Sequence, residues 1–285
     1  MVWLQKCIFA FYLSGFASRH SLKSFSLWHT VEERFENKLL PLVLLFLCVI
    51  VLLPLLCKCE DTFTYSRATY YGSPDCLGTL TGACGFGEYG RSVNGGKVGA
   101  VSGLYRGGTG CGACYQGRCK VPDLCADDGM KVAADHGEGD YTDLILSPCG
   151  FSMLASSNMA ADLFPYGVVG IEHRRVPCQY PGSNLFIKVH GHSQFPDYLA
   201  IVMLYQPGLS DITAVDIWQE DCQEWKGMRK SYGAVWYVAN PPKGPVNLRF
   251  QVSGRGGQKW VQLMNVIPSD WKAGVAYDSA FQLDY

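Results

Sequence analysis

Charged residues are scarce in this sequence, and the two signs are balanced. They make up 17% of the 285 residues, and 24 Lys and Arg against 25 Asp and Glu leave a net charge of −1. Such a chain creates no long-range field that would concentrate nucleic acid or an anionic membrane at its surface. The composition therefore argues against both classes of partner and favours an uncharged ligand.

The sequence also lacks the second half of a zinc-binding motif. Cys111 and Cys114 have the Cys-x-x-Cys spacing of metal ligands, but no second such pair and no His-x-x-x-His pair completes a set. Thioredoxin-like redox chemistry needs a strand before this motif and a helix after it, whereas the flanks here are rich in glycine. In an oxidising compartment the favoured interpretation is disulfides, and the nine cysteines after Glu60 leave at least one without a partner in the chain.

One long apolar run bears on the compartment. Residues 39–57, LLPLVLLFLCVIVLLPLLC, carry no charge. A run of this length can span a bilayer, and it can also form the core of a signal peptide. We expect residues 1–59 to be an N-terminal leader and signal peptide, with a retained signal anchor as the alternative. In both cases the rest of the chain lies outside the cytosol.

The chain after the leader divides into two halves. Residues 60–178 hold most of the cysteines and many short β-branched and apolar runs between Gly, Pro and Asp, which predict strands. Residues 151–164 are the one predicted helix. Residues 184–285 contain runs such as VNLRFQVSG that alternate apolar and polar residues, which is typical of half-buried strands. We predict a mostly β protein, with a disulfide-stapled barrel, a linker at 179–183 and a β-sandwich.

Five motifs spread over this region resemble one family. They are ATYYG at 68–72, GACGFGEYG at 82–90, GGTGCGACYQGRC at 107–119, HRRVPC at 173–178 and GPVNLRF at 244–250. Together they resemble the plant expansin superfamily, to which grass-pollen group-1 allergens also belong. TFTYSRATYYGSPDC and SYGAVW resemble its expansin-like B branch. The resemblance implies a six-stranded double-psi β-barrel related to family-45 endoglucanases, followed by an immunoglobulin-like β-sandwich that binds cellulose.

The resemblance also implies a disulfide pairing, which the sequence alone leaves open among fifteen connectivities of six cysteines. Three cysteines, Cys76, Cys149 and Cys222, fall outside the implied framework. The implied pairs are Cys84–Cys111, Cys114–Cys178 and Cys119–Cys125.

A glycan-binding groove is the next implication. Thr69, Tyr71 and Asp135 match groove residues of the superfamily, whose His-Phe-Asp motif carries the acid of the related hydrolases. In this sequence Ile145 takes that acid position. Asp143 lies two residues away, about 6–7 Å along a strand, which is too far for it to replace the acid in proton transfer. We expect Asp135 and Asp143 to be vestigial groove residues, with no catalytic residue and no hydrolysis.

Aromatic side chains of the second half are candidates for a platform on which sugar rings stack. Tyr198 and Tyr232 match the platform positions of the superfamily. Trp225 and Trp236 are further candidates, with packing in the core as the alternative for each.

The resemblance implies a secreted, non-hydrolytic protein of the plant cell wall that binds cellulose, xyloglucan or related β-glucans and loosens the wall. It is expected to need no cofactor and no metal, to be a monomer, and to meet a membrane only through an uncleaved leader. One alternative is a weak glycoside hydrolase that uses Asp135 and Asp143. Another is a carbohydrate-binding protein without loosening activity.

Overall fold

The computed structural model describes residues 62–73, 75–136, 144–254 and 256–283. The predicted leader, residues 1–59, lies outside these ranges, as does Asp143. Within the described residues, no helix is long and apolar enough to cross a membrane. This part of the chain forms a closed barrel and two further sheets, which confirms the predicted fold class.

Six strands build the barrel. They are β1 (Thr64–Tyr70), β2 (Val98–Val101), β3 (Cys114–Cys119), β4 (Met130–His136), β5 (Leu144–Leu146) and β6 (Val169–Val176). Their order around the closed sheet is β1–β5–β2–β4–β3–β6. The pairs β1/β5 and β2/β4 are parallel and the other four are antiparallel. Closure leaves no sheet edge unpaired, and apolar side chains fill the interior.

Four disulfides staple this barrel. Three of them, Cys84–Cys111, Cys114–Cys178 and Cys119–Cys125, are the pairs that the resemblance implies. The fourth joins Cys76 to Cys149, two of the cysteines outside that framework. Cys222 is exposed and is the unpaired cysteine of the described residues.

The helices of the barrel are short: α1 (Glu88–Ser92), α2 (Ser102–Tyr105), α3 (Pro148–Ser152) and α4 (Ala160–Leu163). The predicted continuous helix over 151–164 is therefore wrong. The segment between α3 and α4 pairs with the loop around Cys125 instead, because the Ala126 N–H donates to the Leu154 carbonyl at 2.9 Å and the Ser156 N–H to the Leu124 carbonyl at 2.7 Å. A local helical pattern cannot reveal such a long-range pairing.

The described residues of the second half form nine strands. They are β7 (Phe186–Val189), β8 (Tyr198–Leu204), β9 (Asp211–Gln219), β10 (Glu224–Gly227), β11 (Arg229–Tyr232), β12 (Val235–Ala239), β13 (Val246–Gly254), β14 (Gly257–Ile267) and β15 (Ala276–Asp278). One sheet has the order β10–β9–β13–β14 and the other β11–β12–β8–β7–β15. Alternate residues such as Leu248, Phe250 and Val252 enter one shared core, as the sequence alternation predicts.

The barrel packs directly against the outer side of the five-stranded sheet. The Ala234 N–H donates to the Cys84 carbonyl at 3.1 Å. Gly233 makes this approach possible, because it has a φ of +49° and a Cβ there would lie 2.1 Å from the Ala83 carbonyl oxygen. The buried residues that share this contact are Cys84, Phe86, Cys111, Val202, Leu204 and Ala234.

One carboxylate of the sandwich ties down two arginines of the barrel. Asp211, at the start of β9, accepts from Arg106 at 2.7 and 3.0 Å and from Arg175 at 2.8 Å. These ion pairs join the four-stranded sheet to the barrel.

Candidate functional site

A cavity of about 310 Å³ opens at one side of the barrel. Four strands meet there. Tyr71 follows β1 and its N–H donates to the Leu146 carbonyl at 3.1 Å, while β2, β4 and β5 contribute Ala100, Asp135 and Ile145. Ile145 pairs with Thr69 on one side and with Ala100 on the other. The cavity is therefore a product of barrel closure, which brings sequence-distant strands together.

Of the described residues that line this cavity, Asp135 supplies the carboxyl group, and it is only 3% exposed. Among the described residues its Oδ1 has no hydrogen-bond partner. A Cβ on Gly82 or Gly90 would approach the carboxyl oxygens to 2.4 or 2.2 Å, so two glycines make the space for this side chain. Burial raises the pKa of Asp135 to about 8, because a low-dielectric site disfavours the charged form. At neutral and acidic pH the group is a neutral hydrogen-bond donor.

The other predicted groove residues differ in what they can do. Burial, with smaller contributions from Asp135 and Asp75, raises the pKa of Tyr71 to about 12, which keeps its hydroxyl protonated. Thr69 is on β1, but its hydroxyl already donates to the Gly167 carbonyl at 2.8 Å. Ile145 lines the cavity, and its match to the acid position of the superfamily motif stays a prediction. Thr79, also in the lining, was missed because it lies in a loop without any periodic pattern.

The outer face of the five-stranded sheet carries a row of tyrosines. The rings of Tyr198 and Tyr237 lie 5.6 Å apart at an angle of 31°. Tyr232 is 43% exposed, and its hydroxyl lies 3.1 Å from His190 Nε2. We call Tyr198, Tyr232 and Tyr237 the tyrosine surface. Tyr237 was missed, although strand alternation puts it on the face opposite to its neighbour Trp236.

A short loop connects the tyrosine surface to the cavity. Gly82 abuts the Asp135 carboxyl, and the Cys84 N–H donates to the Asp135 carbonyl at 3.1 Å. At the other end of the loop, a Cβ on Gly85 would lie 3.2 Å from the Tyr232 ring. The cavity and the tyrosine surface are thus neighbours that share the segment 82–85.

The structure does not bring the four predicted platform residues to one surface. Trp236 is only 7% exposed and belongs to the core between the two sheets, so its assignment to a platform is wrong. Trp225 lies on β10 in the four-stranded sheet, paired with Trp218. It therefore cannot form one platform with Tyr198 and Tyr232, which lie in the other sheet. The two errors have different causes. Trp225 belongs to the other sheet, whereas Trp236 shares a sheet with Tyr198 and Tyr232 but lies on its inner face.

Comparisons with known proteins agree with the resemblance. Residues 185–268 match the family model described as the expansin C-terminal domain. The chain is 54% identical over 240 residues to Expansin-like B1 of Arabidopsis thaliana, covering 84% of this chain and 96% of that protein. It is 42% identical over 229 residues to Expansin-like B1 of Oryza sativa subsp. japonica, with 79% and 90% covered.

Solved structures show the same fold. An apo expansin of Clavibacter michiganensis superposes with a TM-score of 0.59 at 19% identity, covering 78% of this chain and 98% of the other. A mutant of that expansin, in complex with cellohexaose, gives the same values. With the Arabidopsis relative covered almost completely at more than half identity, the chain belongs to the plant expansin superfamily, in its expansin-like B branch.

Proposed function

We propose that this chain is a non-hydrolytic protein of the plant cell wall that binds β-glucan chains along the cavity and the tyrosine surface. The observation that carries the proposal is their proximity, since the segment 82–85 contacts Asp135 at one end and the Tyr232 ring at the other. A linear glycan is long enough to contact both, and tyrosine rings stack on the C–H faces of sugar rings without any charge. The cellohexaose complex of the bacterial expansin supports this ligand class.

The chemistry of the cavity supports binding over hydrolysis. Inverting glycosidases need one carboxyl as acid and another as base, about 6.5–9.5 Å apart. Of the described residues that line the cavity, Asp135 is the carboxyl, and Ile145 has no proton to transfer. Protonated Asp135 and the Tyr71 hydroxyl are instead suited to hydrogen-bond sugar hydroxyls. Asp143 lies outside the described residues.

Loosening follows from differential binding. A protein that binds a separated, twisted glucan chain more tightly than a chain packed on its neighbours shifts the equilibrium towards separation. Cellulose and xyloglucan are the proposed partners, with the protein acting as a secreted monomer without a cofactor. The four disulfides support an oxidising, extracellular location.

Purified protein tests the proposal in three assays: binding to soluble xyloglucan and mixed-linkage β-glucan, release of reducing ends, and creep of heat-inactivated wall strips. We expect binding and creep without reducing ends. Reducing ends that appear with the wild type and vanish with Asp135→Asn would establish a hydrolase instead. Binding without creep would show that the chain is a carbohydrate-binding protein without loosening activity.

A further inference from the structure

The outer face of the four-stranded sheet carries tryptophans where a solvated sheet face is usually polar. Trp218 and Trp225 face each other across β9 and β10, with their rings 5.4 Å apart. On β14, Trp260 is 45% exposed and Met264 is 59% exposed. We call Trp218, Trp225, Arg249 and Trp260 the tryptophan face. Exposed apolar patches on a protein surface commonly mark sites that bind a ligand or another macromolecule.

Arg249 lies at the centre of the tryptophan face and contacts two of its rings. Its guanidinium lies 4.9 Å from the ring centre of Trp225 and 4.6 Å from that of Trp260. Asp216, its cross-strand neighbour, accepts from Arg249 at 2.8 and 2.7 Å. The guanidinium is thus fixed by two rings and one carboxylate, which orders both indoles before any ligand arrives.

The polar groups of the face select for an uncharged occupant. Asp216 and Arg249 neutralise each other, so their ion pair presents no net charge to a ligand. Amide side chains stand beside the indoles. Gln251 is the cross-strand partner of Trp260, and Gln262 is that of Arg249. The Gln251 oxygen accepts from the Thr213 hydroxyl at 2.9 Å, which turns its amide donors to other partners.

We propose that the tryptophan face is a second binding surface for an uncharged polysaccharide chain. Sugar rings present C–H faces to the indoles and hydroxyls to the amides, and this chemistry matches the face better than that of a charged polymer. The ligand class is that of the proposed function, but the residues are different and lie in the other sheet.

A functional consequence follows from the geometry. The tyrosine surface and the tryptophan face lie on the outer sides of two sheets that pack about 10 Å apart. One molecule can then hold two glycan chains at once, one on each side of the sandwich. Such a bivalent contact bridges neighbouring chains and strengthens retention on a fibre without any new type of interaction.

The experiment compares two double variants and their combination by affinity electrophoresis in gels that contain soluble mixed-linkage β-glucan. Trp225→Ala/Trp260→Ala removes the tryptophan face, and Tyr198→Ala/Tyr232→Ala removes the tyrosine surface. We expect the tryptophan variant to lower affinity about 5- to 150-fold when it is introduced into the tyrosine variant, since two stacking contacts are lost. Trp260→Phe should retain most of the affinity, because it keeps a ring.

Agglutination of a swollen cellulose suspension measures bridging. The wild type should agglutinate it, and each double variant should bind without agglutinating. Tyr65→Ala is the matched control, because Tyr65 is a 72% exposed aromatic on the barrel strand β1. It should behave as the wild type in both assays. Melting temperatures of all variants distinguish lost binding from lost folding.

The outcomes separate this inference from the proposed function. Unchanged affinity and agglutination in the tryptophan variant would overturn the second surface and leave the proposed function intact. If only the tryptophan variant loses binding, the result would support this face as a glycan-binding surface and exclude that role for the tyrosine surface. A wild-type dimer that becomes a monomer on Trp225→Ala/Trp260→Ala, with glycan affinity unchanged, would make a second copy of the chain the occupant and overturn the proposal. Preferential, salt-sensitive binding to polygalacturonate through this face would also overturn it.

Discussion

The barrel and the sandwich stabilise their sheets by different means, although they belong to one chain. All four disulfides of the described residues lie in the barrel, whose core combines small side chains such as Ala68 and Ala134 with larger ones such as Phe151. The sandwich has no disulfide among these residues, and its core contains large side chains such as Trp236 and Phe250. A disulfide acts mainly on the unfolded chain, whereas a buried ring stabilises the folded state. Covalent support is thus concentrated in the domain that keeps an open cavity and a buried carboxyl.

The largest expected effect is the loss of a long-range disulfide of the barrel. The Cys76–Cys149 and Cys114–Cys178 bridges span 73 and 64 residues, so removing either pair with serines should cost about 4 kcal/mol. The Cys119–Cys125 bridge spans only 6 residues, and its removal should cost about half as much. Chemical unfolding curves measure these differences.

Cys222→Ser is the control for this series, because Cys222 is exposed and unpaired in the sandwich. It should leave stability unchanged. Amide exchange after reduction should show that β3 and β6 of the barrel lose protection before β8 and β13 of the sandwich. Simultaneous loss of protection in both domains would contradict the division between covalent and core stabilisation.

The second effect tests the sandwich. Trp236→Ala should cost about 3–5 kcal/mol, because a large ring leaves a closely packed core. Its glycan affinity, measured below the melting temperature, should stay close to that of the wild type. Tyr198→Ala/Tyr232→Ala should show the reverse, with a nearly unchanged melting temperature and affinity lowered about 5- to 150-fold. A Trp236→Ala protein of normal stability and weak binding would return Trp236 to the binding surface.

The third effect is a pH dependence that belongs to the barrel. Since burial raises the pKa of Asp135 to about 8, the folded state holds its proton more tightly than the unfolded chain does. The contribution of the Asp135 carboxyl to the free energy of unfolding is fully present below about pH 4 and is lost as the pH rises towards 8. Asp135→Asn should remove this pH dependence. At pH 8 its free energy of unfolding should exceed that of the wild type by a few kcal/mol. Melting temperatures from pH 4 to 9 measure it, and parallel curves for both proteins would mean that the carboxyl is ionised in the fold.

The smallest effect concerns the junction between the two regions. The side chain of Arg106 is partly exposed, so Arg106→Ala should cost no more than about 1 kcal/mol. Arg175 still pairs with Asp211 in this variant. The effect should shrink at high salt. Two separate unfolding transitions in Arg106→Ala, where the wild type shows one, would show that this contact couples the domains far more strongly than its exposure suggests.

The sequence predicted the features that depend on local pattern. Alternation over residues 246–254 predicts a strand, and the structure contains β13 there. The motifs indicated the family, and the family resemblance implied the barrel and the groove position of Asp135. Features set by distant pairing were harder to predict. An indole is equally suited to core or surface until both its sheet and the face that it occupies are known, so Trp225 and Trp236 could not be assigned from the sequence. The cavity position of Thr79 depends on barrel closure.

The close approach at Gly233 has a consequence for engineering. The barrel covers Val202, Leu204 and Ala234, which would be laid bare in a fragment that starts at residue 184. Such a fragment has an exposed apolar patch and should aggregate more readily than the whole protein. Exchanging sandwiches between relatives then requires that the hairpin around Gly233 and the barrel segment 82–86 be transplanted as a matched pair. The two domains can then be exchanged only together with the contact surface that joins them.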